Sequence, residues 1–331
     1  MSQVSIIIPN WNGRHLLDAC LAALAAQTWL DYEIIVVDNG SQDGSVAWVR
    51  SQYPQIVVIS NECNRGFATA VNQGVKVSTS RYVVTLNNDT EPDPAWLAAL
   101  VSVAEQDPAV GMCASKMLFA DRPGVINSTG ICIDRAGIAW DRRGGESDNN
   151  SEILPVEVFG PCGGAALYRR AMLDQIGLFD EDFFAYLEDV DLAWRARRAG
   201  WRCQYVPTAR VFHRHSATGG EGSPFKSYHI GRNKIWLVAK NYPFLRLRLH
   251  IPALAYYDVA SVVYMLLVRH DVHALRGRLA ALASLGRMWR KRGPTDDAVR
   301  ADLVCLSPLQ PLWLVPRRYA HLGTSSGYPR V

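Results

Sequence analysis

In the first ninety residues, short β-branched apolar runs alternate with helix-patterned stretches, and that alternation leaves few folds open. Residues 4–9 (VSIIIP), 33–38 (EIIVVD), 56–59 (IVVI) and 81–86 (RYVVTL) read as strands. Residues 14–26, 44–52 and 67–77 read as helices between them. Continuous apolar strands separated by helices of this length predict an α/β fold, a mostly parallel sheet flanked by helices on both faces. Ligands of such sheets bind beyond the carboxyl ends of the strands. Three polar clusters fall there: Asn10-Trp11-Asn12-Gly13, Asp38-Asn39-Gly40-Ser41 and Asn87-Asn88-Asp89. Each alone is an ordinary turn or cap; three on one rim mark a ligand site.

Beyond about residue 110 the pattern is mixed. Residues 126–141 read as a hairpin, 144–152 as a flexible loop and 163–169 as a strand. An amphipathic helix over 188–199 and a strand near 202–206, ending at Pro207, follow. From residue 226 the chain reads as helical and basic. The expected organisation is therefore 1–110, 111–225 and a helical extension, 226–331. Residues 226–331 hold 17 Lys and Arg against 5 Asp and Glu, a net of +12. The remainder holds 18 against 26, a net of −8. This asymmetry suggests a metal or catalytic region in front and an anionic surface partner behind.

Hydrophobic residues at 49% and charged residues at 20% exclude global disorder. Seven cysteines, scattered and without a CxxC pair, argue for a reducing compartment and against a zinc site or a disulfide framework. The opening MSQVSIIIPNWNG has neither the basic region nor the long apolar run of a signal peptide, so a cytoplasmic location is expected.

A dinucleotide-binding dehydrogenase needs a glycine-rich loop after the first strand, and IPNWNGRH supplies one glycine; a Walker A loop is also missing. A nucleotide diphosphate would then be neutralised by a divalent cation on carboxylates, with Asp89 at a strand end as the natural ligand.

The ordered set IIIPNWNG, VVDNGSQDGS, NRGFATAVNQG, LNNDTEPDPAWL, FGPCGGAALYRR, FDEDFFAYLEDVDLAWRARRAGW and FHRHSATGG, over roughly residues 4–220, resembles the inverting family 2 glycosyltransferases with the GT-A fold. The similarity is closest to the bacterial rhamnosyltransferase-like branch. The resemblance implies that Pro9, Asn10 and Asn12 form the first nucleotide-contacting loop. Asp38 would accept from the pyrimidine imide, with Asn39 and Ser41 beside it. Asn64, Gly66, Phe67 and Asn72 would close over the nucleotide sugar. Asn87-Asn88-Asp89 occupies the family's DxD position, with the departure that the first acid is Asn87, a neutral and weaker ligand. Asp89 is then the direct ligand of Mg²⁺ or Mn²⁺, and Asn87 and Asn88 contact the donor.

Inverting transfer needs one base and a stabilised leaving diphosphate. Asp189 matches the family base, with Glu188 beside it, although acids in a first helical turn also arise from dipole complementarity alone. Asp191 is expected to pair with Arg195. His213 matches a family histidine that reaches the metal, with His215 as the alternative. Gly163, Gly164 and Trp194 are expected on the acceptor side.

In the extension, residues 251–268 are an apolar run short for a span and interrupted by Asp258. Leu279, Leu282, Leu285 and Trp289 between arginines suit a helix on an anionic membrane surface, and packed helices are the alternative. No nucleic-acid motif accompanies the basic residues. The expected activity is transfer of L-rhamnose from dTDP-L-rhamnose to a saccharide or lipid-linked acceptor at the inner face of the cytoplasmic membrane. A UDP-hexose or UDP-galactofuranose transferase and a catalytically silent nucleotide-sugar-binding protein are the alternatives. Oligomeric state is left open.

Overall fold

The computed structural model describes residues 2–214, 222–293, 306–309, 311, 312 and 315. The chain divides into two compact units. One is Met1–Ile131 with Asp141–Thr218, the other Cys132–Trp140 with Gly219–Val331.

The first unit opens with the expected alternation: β1 (Val4–Asn10), α1 (Arg14–Ala25), β2 (Tyr32–Asp38), α2 (Ser45–Gln52), β3 (Val57–Ser60), α3 (Gly66–Val77) and β4 (Tyr82–Leu86). There follow β5 (Thr90–Pro92), α4 (Trp96–Gln106), β6 (Val110–Phe119) and β7 (Arg122–Ser128). Next come the short pair β8 (Ile131–Ile133) and β9 (Ala139–Asp141), then β10 (Val156–Val158), β11 (Ala165–Arg169), α5 (Arg170–Ile176), α6 (Glu188–Arg198) and β12 (Arg202–His213). The main sheet runs β10-β12-β6-β11-β4-β1-β2-β3, with β5 on β12 and β7 on β6. Strands β3, β2, β1 and β4 are parallel, and β11 runs against both β4 and β6. Ile6, Ile8, Val36 and Val84 bury one face against Leu17, Leu21 and Leu24 of α1 and Leu97 and Leu100 of α4. Each such side chain contributes about 1.5–3 kcal/mol when fully buried.

Three expectations change. The hairpin read over 126–141 is shorter, β8 with β9, because β7 pairs with β6 instead. The 144–152 loop is pinned rather than loose: Asp148 accepts from the buried Lys116 ammonium at 2.9 Å, and Glu152 pairs with Arg142 and Arg143. Strand β12 does not end at Pro207. Its register on β6 breaks between Val206 and Arg210 and then resumes through His213. Proline falls in that bulge, where its missing N–H forfeits no ladder bond. The resumed half pairs with β5, setting His213 opposite Thr90.

The second unit is helical as expected: α7 (Pro224–Asn241), α8 (Phe244–Leu267), α9 (His273–Ala283) and α10 (Leu285–Arg290). Ser223 caps α7, its hydroxyl accepting from Lys226 N, with Pro224 at the first helical position. Helices α7 and α9 cross backbone to backbone. A Cβ on Gly277 would meet Tyr228 O at 2.1 Å, and one on Gly231 would meet Ala274 O at 2.6 Å. The apolar run is longer than its sequence limits suggested, because α8 continues through Pro252. Asp258 faces inward, between Lys234 of α7 at 3.2 Å and Arg278 of α9 at 2.9 Å. The Leu279–Trp289 stripe is split at Ser284 between α9 and α10.

Candidate active site

The carboxyl ends of β1, β2 and β4 are laced together by short polar side chains. Asn10 donates to Asp38 Oδ1 at 2.8 Å, and Ser41 N donates to Asp38 Oδ2 at 2.8 Å. Asn88 donates to Asn10 Oδ1 at 2.7 Å. A Cβ on Gly13 would lie 2.1 Å from the Asn88 amide nitrogen and would displace this pair. Asn12 N donates to Ser41 Oγ, and Asn12 Oδ1 accepts from Gln42 N, each at 2.8 Å. Pro9, the next-to-last residue of β1, is half-buried at the same rim. An ionised carboxylate has about four acceptor sites, so Asp38 retains capacity on each oxygen.

Asp89 and His213 lie side by side. The β5–β12 pairing brings His213 Nε2 to 3.2 Å from Asp89 Oδ1, with both side chains buried. The other ring nitrogen, Nδ1, lies 2.8 Å from Asn127 Oδ1. With Asn127 Oδ1 accepting from Nδ1–H, the ring turns Nε2 toward Asp89 Oδ1. A carboxylate oxygen and an imidazole nitrogen are donors that suit a divalent cation, and among the described residues no third His, Cys, Asp or Glu joins them. Asn127, on β7, carried no signal in the sequence. His215 lies outside the described residues.

The acid pair opens α6. Asp189 Oδ2 accepts from Gly163 N at 2.9 Å and Oδ1 from Val190 N at 2.8 Å. Burial pushes the Asp189 carboxyl up to about 6, against the lowering effect of those two N–H groups. Glu188 is held well above the ordinary carboxylate range by burial and by the neighbouring Asp189 charge, and its Oε2 has no hydrogen-bond partner among the described residues. Asp191 pairs with Arg195 as expected, Nε to Oδ2 at 2.9 Å. The loop before β11 joins the two halves of the site. Asn87 N donates to Gly164 O at 2.8 Å, Thr85 Oγ1 donates to Gly163 O at 2.7 Å, and Gly163 N reaches Asp189. A Cβ on Gly164 would lie 3.0 Å from the Asn87 amide nitrogen, and one on Gly163 3.3 Å from Asp189 Cβ. A side chain at either position would press on Asn87 or Asp189.

Other expected contacts are turned into the protein. Asn39, buried, donates to Gly66 O at 3.2 Å and accepts from Asn61 at 3.0 Å. Asn72 clamps the Phe179 backbone, accepting from its N at 3.1 Å and donating to its O at 2.8 Å. Asn64 accepts from Gly66 N at 2.9 Å, and Phe67 stacks edge-on with Phe179. Trp194, expected at an acceptor surface, is 1% exposed and packs edge-on against Phe159. An indole that buried contributes to the site through packing.

A polar rim at the strand ends, a carboxylate–imidazole pair and a buried acid held by a glycine loop thus lie on a mixed α/β sheet flanked by helices. Residues 5–177 match the model of glycosyl transferase family 2, and the chain belongs to that family. Over 242 residues it is 30% identical to N-acetylglucosaminyl-diphospho-decaprenol L-rhamnosyltransferase of Mycobacterium tuberculosis, covering 66% of this chain and 78% of that protein. It is 27% identical over 269 residues to the O-antigen biosynthesis protein RfbC of Myxococcus xanthus, covering 76% of this chain but 20% of RfbC. Among solved structures it is similar to GalNAc-T7 with UDP, GalNAc and Mn²⁺ (TM-score 0.63, 17% identity, 87% of this chain and 56% of that one). It is also similar to Staphylococcus aureus TarS 1–349 (TM-score 0.57, 17% identity, 86% and 80%). These likenesses show the GT-A fold.

Proposed function

We propose that this glycosyltransferase transfers L-rhamnose, with inversion, from dTDP-L-rhamnose to a saccharide or lipid-linked glycan acceptor in cell-surface polysaccharide synthesis. The observation that carries the reading is the Gly163–Gly164 loop, bonded on one side to Asn87 beside Asp89 and on the other to Asp189. It ties the diphosphate end of the site to the base. Asp38 accepts the pyrimidine imide N–H, and Asn10 and Ser41 hold its carboxylate in place. Asp89 and His213 hold Mg²⁺ or Mn²⁺, which when bound offsets the charge of the diphosphate. Asp189 takes the acceptor hydroxyl proton as the acceptor oxygen–C1 bond forms and the C1–diphosphate bond breaks; the bonding pair leaves on the diphosphate.

The mycobacterial relative, named for a decaprenol-linked acceptor, supports both the rhamnosyl donor and the lipid-linked acceptor. UDP-hexose or UDP-galactofuranose is the second reading, because Asp38 reads the imide of thymine and uracil alike. A silent nucleotide-sugar-binding protein has only Asn87 in its favour, against a complete Asp89, His213 and Asp189 set. A panel of dTDP- and UDP-sugars with synthetic acceptors, following nucleoside diphosphate release, tests this. Turnover with dTDP-L-rhamnose exceeding that with every UDP-sugar is the expected result; the reverse order replaces it with the second reading.

The second unit supports a peripheral place on the inner face of the cytoplasmic membrane. Leu247–Leu267 is long and apolar enough to cross a membrane by length and composition. Asp258, however, is tied to Lys234 and Arg278 on two neighbouring helices, and a span would draw those cations in with it. The outer stripe of Leu249, Tyr256, Val259, Val263 and Leu267 is exposed, as are Leu279, Leu282 and Trp289. A helix lying in the interface fits this pattern. Full-length protein should co-sediment with anionic vesicles at low salt and dissociate as salt rises, since each basic residue near such a surface contributes on the order of 1 kcal/mol. Leu282→Asp should release it even at low salt. Protein that stays in the supernatant at low salt makes this unit a packing element only.

A further inference from the structure

The segment between the donor side and the acid pair is held in a conformation that its residues do not favour. Phe184, Tyr186 and Leu187 all have positive φ, at 65°, 68° and 68°, and none is glycine. Leu187 is the N-cap residue of α6, so this backbone directly sets the direction in which Glu188 and Asp189 leave. Non-glycine residues in the left-handed region persist only where the surroundings over-determine them.

The surroundings come from α3. Ala68 N donates to Phe184 O at 3.3 Å, Thr69 Oγ1 reaches Glu181 at 3.3 Å, and Asn72 clamps Phe179 from both sides. Contact is closest at Gly66. Its φ is +83°, and a Cβ there would lie 2.5 Å from Phe184 O and 2.7 Å from the Phe184 ring. Gly66 O in turn accepts from Asn39, the residue after Asp38, and Asn39 Oδ1 also draws in Asn61. A continuous path of backbone and amide contacts therefore runs from the loop after β2 to the start of α6.

We propose that Gly66 and Asn39 are positioning residues for Asp189. They hold Phe184–Leu187 in its left-handed course, and they act on the reaction through the base rather than by touching the sugar. This rests on the assignment of Asp189 as base, and it differs from the expectation that both contact the nucleotide.

The test uses full-length Gly66→Ala and Asn39→Ala, with thermal unfolding as the check of fold. The first readout needs no substrate: carboxyl-carbon NMR titration of Asp189, its resonance assigned by loss in Asp189→Asn. The second pairs the affinity for dTDP with Mn²⁺, by calorimetry, with dTDP release from dTDP-L-rhamnose. The expected result is a displaced Asp189 titration and turnover lowered about 10²-fold, the scale of a misplacement near 1 Å, while dTDP affinity stays within about threefold. Adding either change to Asp189→Asn should cause little further loss. An unmoved Asp189 titration in folded protein overturns the proposal, as does loss of dTDP affinity or additivity with Asp189→Asn. If Gly66→Ala does not fold, Asn39→Ala decides on the same readouts. A displaced titration in a chain whose wild type releases no dTDP leaves the positioning role standing and counts against the donor reading.

Discussion

Asp189→Asn should lower turnover by about 10²–10⁴-fold, the usual contribution of acid–base catalysis, with donor affinity nearly unchanged. The amide is close to isosteric, and its oxygen can accept from Gly163 N at the loss of the bond from Val190 N, but it cannot take a proton. The pH profile carries the same information with a definite sign. Burial raises the Asp189 carboxyl to about 6, and a base works only when ionised. Wild-type turnover should therefore be low below pH 6, rise through that value and level off above it. In Asp189→Asn the acidic limb should disappear along with most of the rate. Burial and the neighbouring Asp189 charge hold the Glu188 carboxyl well above the usual range, which disfavours it as the base, and Glu188→Gln should be mild. Near-normal turnover in Asp189→Asn with a large loss in Glu188→Gln would reverse the two roles.

Asp89→Ala should abolish measurable transfer. A cation on a leaving diphosphate supplies several kcal/mol of charge stabilisation, so losing its carboxylate ligand is expected to lower the rate about 10³-fold or more. Chelator should silence the wild type, and Mn²⁺ or Mg²⁺ should restore it. Asn87→Asp should keep or improve cation affinity. Asn127→Leu, which removes the acceptor for His213 Nδ1–H, should weaken Mn²⁺ binding about 10- to 100-fold by calorimetry, the range for groups that orient a ligand. Full activity in excess chelator would remove the cation from the mechanism altogether.

Whatever depends on neighbouring residues in the chain was readable from sequence. Strands β1 to β4 and helices α1 to α3 follow from period and composition, and the rim follows from where those strands end. Asp89 and Asp189 stand out as acids at element boundaries. What escaped depends on pairings across long stretches of chain. Asn127 meets His213 only because β6 lies between β7 and β12, 86 residues separating the two. Pro207 looked like a strand end because a bulge in the ladder cannot be seen without the partner strand. Asn39, Asn72 and Asn88 sit in motifs of the right type, but amides serve a backbone as readily as a ligand, and composition does not separate the two uses. Trp194 shows the same limit: in a helix acidic before the tryptophan and basic after it, the sequence does not show which face is covered.

Strand β11 runs against β4 and β6, and this reversal divides the rim by origin. Its donor side is made of loops leaving strands β1, β2 and β4, each followed by an element that must pack on the sheet. The Gly163–Gly164 loop instead enters β11, at the end of a stretch with little regular structure from Arg142 onward. That stretch is held by side-chain pairs, Lys116 with Asp148 and Glu152 with Arg142 and Arg143, whereas each outgoing loop is held by the element that follows it. On the proposed reading, in which this incoming loop borders the acceptor, the two ends of the site are therefore built by opposite ends of their strands.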